Sequence, residues 1–169
     1  VYLLNMKFFE AYSLFEDNTD EGKKALNHLG AYMEFSDDEK KIQQKYEKFR
    51  SVLPSNLKKV IKRKHSETKM DGFAVDILVH MCTSAHRTDQ QLYTNILLMV
   101  GRLMFQNGFT DSSPFVLVHL GSLLCNTFND YETGVQLASL GLELLDSSES
   151  DKYYSKTLAI YYISMGHLQ

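Results

Sequence analysis

The chain has 169 residues, 44% of them apolar and 23% charged, with a formal net charge of −3. That length allows one domain or a short repeat array, and the apolar content excludes disorder as the default. The mild acidity gives no overall pull toward nucleic acid or acidic membranes.

Two cysteines, Cys82 and Cys125, both lie in apolar runs, which fits buried thiols in a reducing compartment better than a disulfide framework. No apolar run approaches the roughly 20 residues that span a bilayer. The start, VYLLNMKFFEAY, carries Lys7 and Glu10 where a signal peptide would be apolar. A soluble, cytoplasmic protein is expected. The chain starts at Val1 and stops at MGHLQ inside a helical pattern, so it reads as a piece of a longer polypeptide.

In chain order, the spacing predicts a first helix over about 2–16, with Leu3, Met6, Phe9, Leu14 and Phe15 apolar. Asp17-Asn18-Thr19-Asp20 reads as a turn and cap cluster, with Thr19 leading a second helix that carries Ala25, Leu26, Leu29, Tyr32 and Met33. Ser36 followed by Glu39 fits a capping box, opening a third helix with Ile42, Tyr46, Phe49 and Leu53 inward. Pro54 and Ser55 punctuate it.

Residues 36–70 hold eleven Lys/Arg against five Asp/Glu, a balance of +6, so the rest carries −9 to reach the total of −3. The run NLKKVIKRKHSET within it is either a solvated helix surface anchored by Leu57, Val60 and Ile61, or a docking patch for an acidic partner or nucleic acid. Lys58, Lys59, Lys62, Arg63 and Lys64 would be its contact residues.

Met70-Asp71-Gly72 marks a junction before a largely apolar helix from Phe73 to His86. Thr88 is the expected cap of the next helix, and Gly108 its stop.

The stretch from Asp111 to Leu145 reads as one hairpin of two helices; from Ser113 onward it runs SPFVLVHLGSLLCNTFNDYETGVQLASLGLELL. Ser112 or Ser113 caps the first helix, with Pro114 at the first helical position. Val116, Leu117, Leu120, Leu123, Leu124 and Phe128 form its apolar set, and Asn129-Asp130 makes the turn. Tyr131, Val135, Ala138, Leu142 and Leu145 fall on one face of the second helix. Gly121, Gly134, Ala138 and Gly141 are small residues placed to let helices approach. A helical glycine costs roughly 0.5–1 kcal/mol against alanine, so three in one hairpin need a packing reason. After a turn at 147–151, a last helix presents Tyr154, Leu158, Tyr161, Tyr162 and Met165.

The result is an all-α chain of about nine helices, with antiparallel pairs stacked as a short α-solenoid. One domain over 1–169 is expected, with the better-formed repeat part at 71–169 and a basic helical part at 36–70. NDYETGVQLASLGLELL resembles the second half of a tetratricopeptide unit, with Gly134 and Gly141 at its small positions and Leu120-Gly121 like the Leu-Gly pair of its first helix.

Over roughly 50–165 the chain also resembles the helical region that follows the nucleotide-binding domain in predicted signal-transduction ATPases fused to serine/threonine or hybrid histidine kinases. The matching positions are Leu53-Pro54, Met70-Asp71, Ala74, Ile77-Leu78, Leu92-Tyr93, Met99-Val100, Gly108, Ser113-Pro114, Gly121, Asp130-Tyr131, Gly134 and 140–145. Where that family often has a Phe-Gly pair, this chain reads Gln136-Leu137-Ala138. The resemblance implies a protein-interaction or regulatory module, with ATPase and kinase domains outside this stretch.

No phosphate loop, G-x-G-x-x-G, His-Glu-x-x-His or C-x-x-C is present, so no catalytic, cofactor or metal residue is expected. His80, Cys82 and His86 are the nearest approach to a metal set, but the spacing puts His80 and Cys82 on different helix faces. His119 lies between Val118 and Leu120, a poor setting for a phosphoacceptor. The tyrosines of the last helix, Tyr154 and Tyr161 foremost, suit either core packing or a peptide groove. The expected partner is protein: another domain of the parent chain, or a signalling partner. Nucleic acid bound through 36–70 is the alternative. No membrane, small-molecule substrate or cofactor is expected.

Overall fold

The computed structural model describes residues 1–30, 34–57, 69–146 and 153–164, with the backbone alone at 69–72. Among them are eight helices: α1 (Tyr2–Ala11), α2 (Phe15–His28), α3 (Glu39–Val52), α4 (Lys69–Thr88), α5 (Gln90–Asn107), α6 (Ser113–Phe128), α7 (Tyr131–Asp146) and α8 (Tyr154–Ser164). No strand occurs among the described residues, so the all-α expectation holds. The chain divides into two compact units, one of Val1–Ser51 with Glu67–Leu103, the other of Val52–Ser66 with Met104–Gln169.

In the first unit α1, α2 and α4 pack against one another. They meet at Gly22, where an added Cβ would lie 2.3 Å from Met81 Cγ and 3.0 Å from Met6 Cε. The residue is small because two methionines from two other helices fill the space over it. Met6, Leu26, Leu78 and Met81 are fully buried there. Burial of each such side chain contributes about 1.5–3 kcal/mol.

The α1–α2 junction corrects the expected boundaries. The turn falls at 12–14, where Ser13 takes a left-handed φ of 58°. Asp17-Asn18-Thr19-Asp20 is helical, not a turn. Asn18 and Thr19 are buried inside α2, where the Asn18 amide donates to the Met6 carbonyl at 2.7 Å and Thr19 Oγ1 to the Glu16 carbonyl at 2.8 Å. Short polar side chains that signal a cap in sequence here find tertiary and local acceptors within a helix.

Three other expected features shift in the same way. Asp38, not Ser36, accepts the first-turn N–H of Lys40, at 2.9 Å. Asp89, not Thr88, caps α5 by accepting the N–H groups of Gln91 and Leu92 at 3.0 and 2.9 Å, while Thr88 Oγ1 bonds back to the Ser84 carbonyl. The expected junction at 70–72 is continuous helix within α4. Gly108 does end α5, with a φ of 117° open only to glycine at little cost.

In the second unit α6 is central: twelve of its sixteen residues are buried, and it packs on both α7 and α8. Pro114 sits in its first turn as expected. Asn129 closes it in a left-handed conformation (φ 54°), and Asp130 Oδ1 accepts the Thr133 N–H at 3.4 Å to open α7.

The α6–α7 hairpin is interlocked at backbone level. A Cβ on Gly121 would lie 2.5 Å from the Gly134 carbonyl oxygen and 2.9 Å from Ala138 Cβ. One on Gly134 would lie 2.5 Å from Cys125 Sγ, and one on Gly141 would lie 2.9 Å from the Pro114 carbonyl oxygen. The small residues therefore have the close-approach role read from their spacing. The buried face of α7 is Thr133, Gly134, Leu137, Ala138, Leu140, Gly141 and Leu145. Tyr131 and Val135, expected on that face, are exposed. The glycine seam sets the rotation of the helix: Gly134, Ala138 and Gly141 meet α6 at close range, and Tyr131 and Val135 turn outward.

Candidate functional site

The first unit holds a buried polar centre on α5. Asn95 is fully buried, on a helix face otherwise made of Leu92, Ile96 and Met99. Its amide nitrogen donates to the carbonyls of Ser36 and Gln91, both at 2.8 Å, and its oxygen accepts the Ser36 N–H at 3.3 Å. The same oxygen accepts from Lys45 Nζ, and Lys45 also donates to the Glu34 carbonyl. Every hydrogen-bonding site of the Asn95 amide is thus used, which is what makes its burial tolerable.

Lys45 is itself out of pattern. It lies on α3 between Ile42 and Phe49, which are buried one turn to either side. Half-buried there, its ammonium is held below the ordinary lysine range, first by desolvation and then by the nearby Lys41 and Lys48, against the opposing pull of Glu34.

Around Lys45 opens a groove of about 250 Å³ lined by Glu34, Lys45, Lys48, Leu98, Met99, Arg102 and Leu103. Lys45 and Lys48, three residues apart, project from one face of α3. Leu98, Met99 and Leu103 of α5 form an apolar floor. The Glu34 carboxylate, the one acid among the lining residues, bonds Lys41 at 2.7 Å, which lowers the Glu34 pKa and raises that of Lys41. Three cations therefore face a groove whose single carboxylate already has a partner.

A second groove of about 470 Å³ lies in the second unit, lined by Ser55, Asn56, Leu57, Val135, Gln136, Ser139, Leu140 and Glu143. It runs along the outer side of α7. Gln136 lies there, one of the positions at which the chain departs from the Phe-Gly pair noted above.

No family model, curated protein or solved structure matches this chain. The chemistry of the site rests on its own residues. Lys58, Lys59, Lys62, Arg63 and Lys64 lie outside the described residues. Tyr154 is partly exposed, whereas Tyr161 is buried against Val118, Cys125 and Ala138 in the core of the second unit.

The remaining chemistry-bearing residues lie apart. His80 Nδ1 pairs with Glu10 Oε2 at 3.0 Å, tying α4 to α1, and His86 packs its ring on Tyr93 at 4.9 Å. Cys82 is buried, and burial pushes its thiol well above the ordinary range. Among the described residues no three His, Cys, Asp or Glu side chains converge as a metal site would require. His119 is buried against Phe115, ring centroids 4.2 Å apart, with no exposed face for phosphoryl transfer.

The Lys45 groove escapes a reading of the sequence because Glu34, Lys45 and Arg102 are far apart in the chain. A signal is present all the same: Lys45 and Asn95 each interrupt an apolar helical face. Among the described residues no helix is long and apolar enough to cross a membrane.

Proposed function

We propose that this chain is a non-catalytic protein–protein interaction module built from tetratricopeptide-like helix pairs, serving a regulatory role in a multidomain signalling ATPase or kinase. The observation that carries the interaction reading is exposed apolar surface arranged along helices. Leu4 and Phe8 on α1, and Tyr12 just past its end, are 72%, 52% and 67% exposed at a spacing of four residues, with the Phe8 and Tyr12 rings 4.6 Å apart. In the second unit Tyr131 and Val135 on α7, and Tyr162 and Ile163 on α8, are likewise exposed. Large apolar side chains left exposed about one helical turn apart, as Phe8 and Tyr12 are with their rings in contact, support a contact site more than singly scattered exposure does. The signalling context rests on the sequence resemblance alone.

Photo-crosslinking tests this reading. A benzophenone side chain at Phe8 or Tyr131, in the full-length parent protein in its own cells, should give adducts to a defined protein or domain. A control placed at the solvated Asp20 should not. Absence of adducts from both positions refutes it. The second reading, an acidic partner, is favoured by the Lys45, Lys48 and Arg102 groove.

A further inference from the structure

We propose that the groove between α3 and α5 seats a short protein segment in which a carboxylate side chain lies next to a large apolar one. The inference rests on the interaction-module reading and names the partner's chemistry.

Charge sets half of the specificity. Lys45, Lys48 and Arg102 line the groove, and the only acid beside them is turned to Lys41 at 2.7 Å. A carboxylate entering there meets cations that have no other carboxylate lining the groove. Lys45 is also fixed in advance, since Asn95 and the Glu34 carbonyl both hold its ammonium. The entropy of ordering that side chain is lost in folding, so little more is lost in binding. The depressed Lys45 pKa agrees: a second negative group restores what partial burial takes from the ammonium.

The floor sets the other half. Leu98, Met99 and Leu103 are apolar, so a bare anion such as phosphate would leave them against water. At about 250 Å³ the groove is below the roughly 300–1,000 Å³ of small-molecule sites and has room for one or two side chains. Its lining holds no aromatic ring on which a base could stack, which disfavours single-stranded nucleic acid.

The test is selection of a phage-displayed random dodecapeptide library on the chain as it exists, followed by fluorescence anisotropy of the enriched peptides. Enrichment of Asp or Glu beside Leu, Ile, Met or Phe is expected. Affinity for those peptides should fall about tenfold or more in Lys48→Glu/Arg102→Glu and, more mildly, in Lys48→Gln/Arg102→Gln. It should hold in the control Lys23→Glu/Lys24→Glu on α2. Circular dichroism confirms that each variant is folded, and the Gln pair serves if the Glu pair is not.

Enriched peptides without an acid, undiminished binding by both groove variants, or no enrichment each overturn the proposal. So does tighter binding of a twelve-nucleotide thymidine strand through the same residues, which would make the partner nucleic acid. Adducts formed at Phe8 or Tyr131 while the peptide selection fails would sink the groove and leave the module standing. No crosslinked partner at all would sink the module.

Discussion

Replacing Gly121 by alanine tests the account of the α6–α7 hairpin most directly. The new methyl would stand 2.5 Å from the Gly134 carbonyl oxygen and 2.9 Å from Ala138 Cβ. A comfortable carbon–oxygen contact is about 3.3–3.6 Å, so the two helices would have to part by roughly 1 Å at that point. Helix propensity pulls the other way, favouring alanine by about 0.5–1 kcal/mol.

Overfilling a packed interior costs about 1–3 kcal/mol, and the upper part of that range applies because the obstacle is backbone and cannot rotate away. The net expectation is a loss of about 1–2 kcal/mol. At roughly 2–4 °C per kcal/mol for a chain of this size, the melting temperature should fall by about 2–8 °C. Thermal and urea unfolding followed at 222 nm would measure it. Asn126→Ala, on the exposed side of the same helix, should stay within about 0.5 kcal/mol of wild type. A Gly121→Ala protein that melts at or above wild type would refute the close-packing argument, because propensity alone would then have decided the outcome.

Three further outcomes are expected. Asn95→Ala strips partners from both backbone groups of Ser36 and should cost about 2–3 kcal/mol, with faster amide exchange at Ser36. Unchanged exchange there would show that Asn95 is not what holds the segment before α3. Glu10→Ala removes the 3.0 Å bond to His80 between α1 and α4 and should cost about 1 kcal/mol in urea unfolding. Stability should also fall with rising pH from about 8, since the buried Cys82 thiol keeps its proton in the folded state while the unfolded chain gives it up near 8.5. The folded state then holds more protons, so each further pH unit favours unfolding. Tyr93, raised by burial, extends the decline above about 10. The depressed Lys45 acts in the opposite sense, since its unfolded form binds the extra proton. Cys82→Ala should flatten the slope between about pH 8 and 10; an unaltered slope would show that the thiol does not drive it.

The all-helical class, most helix lengths and the small-residue seam of the α6–α7 hairpin were legible in the residues alone. They follow from local periodicity, from Pro114, Gly108 and Asn129 as punctuation, and from glycines too costly to keep without a packing role. Other features depend on which helices meet. Cap assignments moved to Asp38 and Asp89, and Asn18 and Thr19 became interior helix residues, because a short polar side chain suits either a cap or a distant acceptor. Which way α7 faces was set by Gly134 and Gly141 against α6, which turned Tyr131 and Val135 outward and left Tyr161 of α8 to fill the core. The groove belongs to the same category. Lys45 and Asn95 stand 50 residues apart in the chain, and only packing of α3 on α5 brings a lysine, its two acceptors and Arg102 to one place.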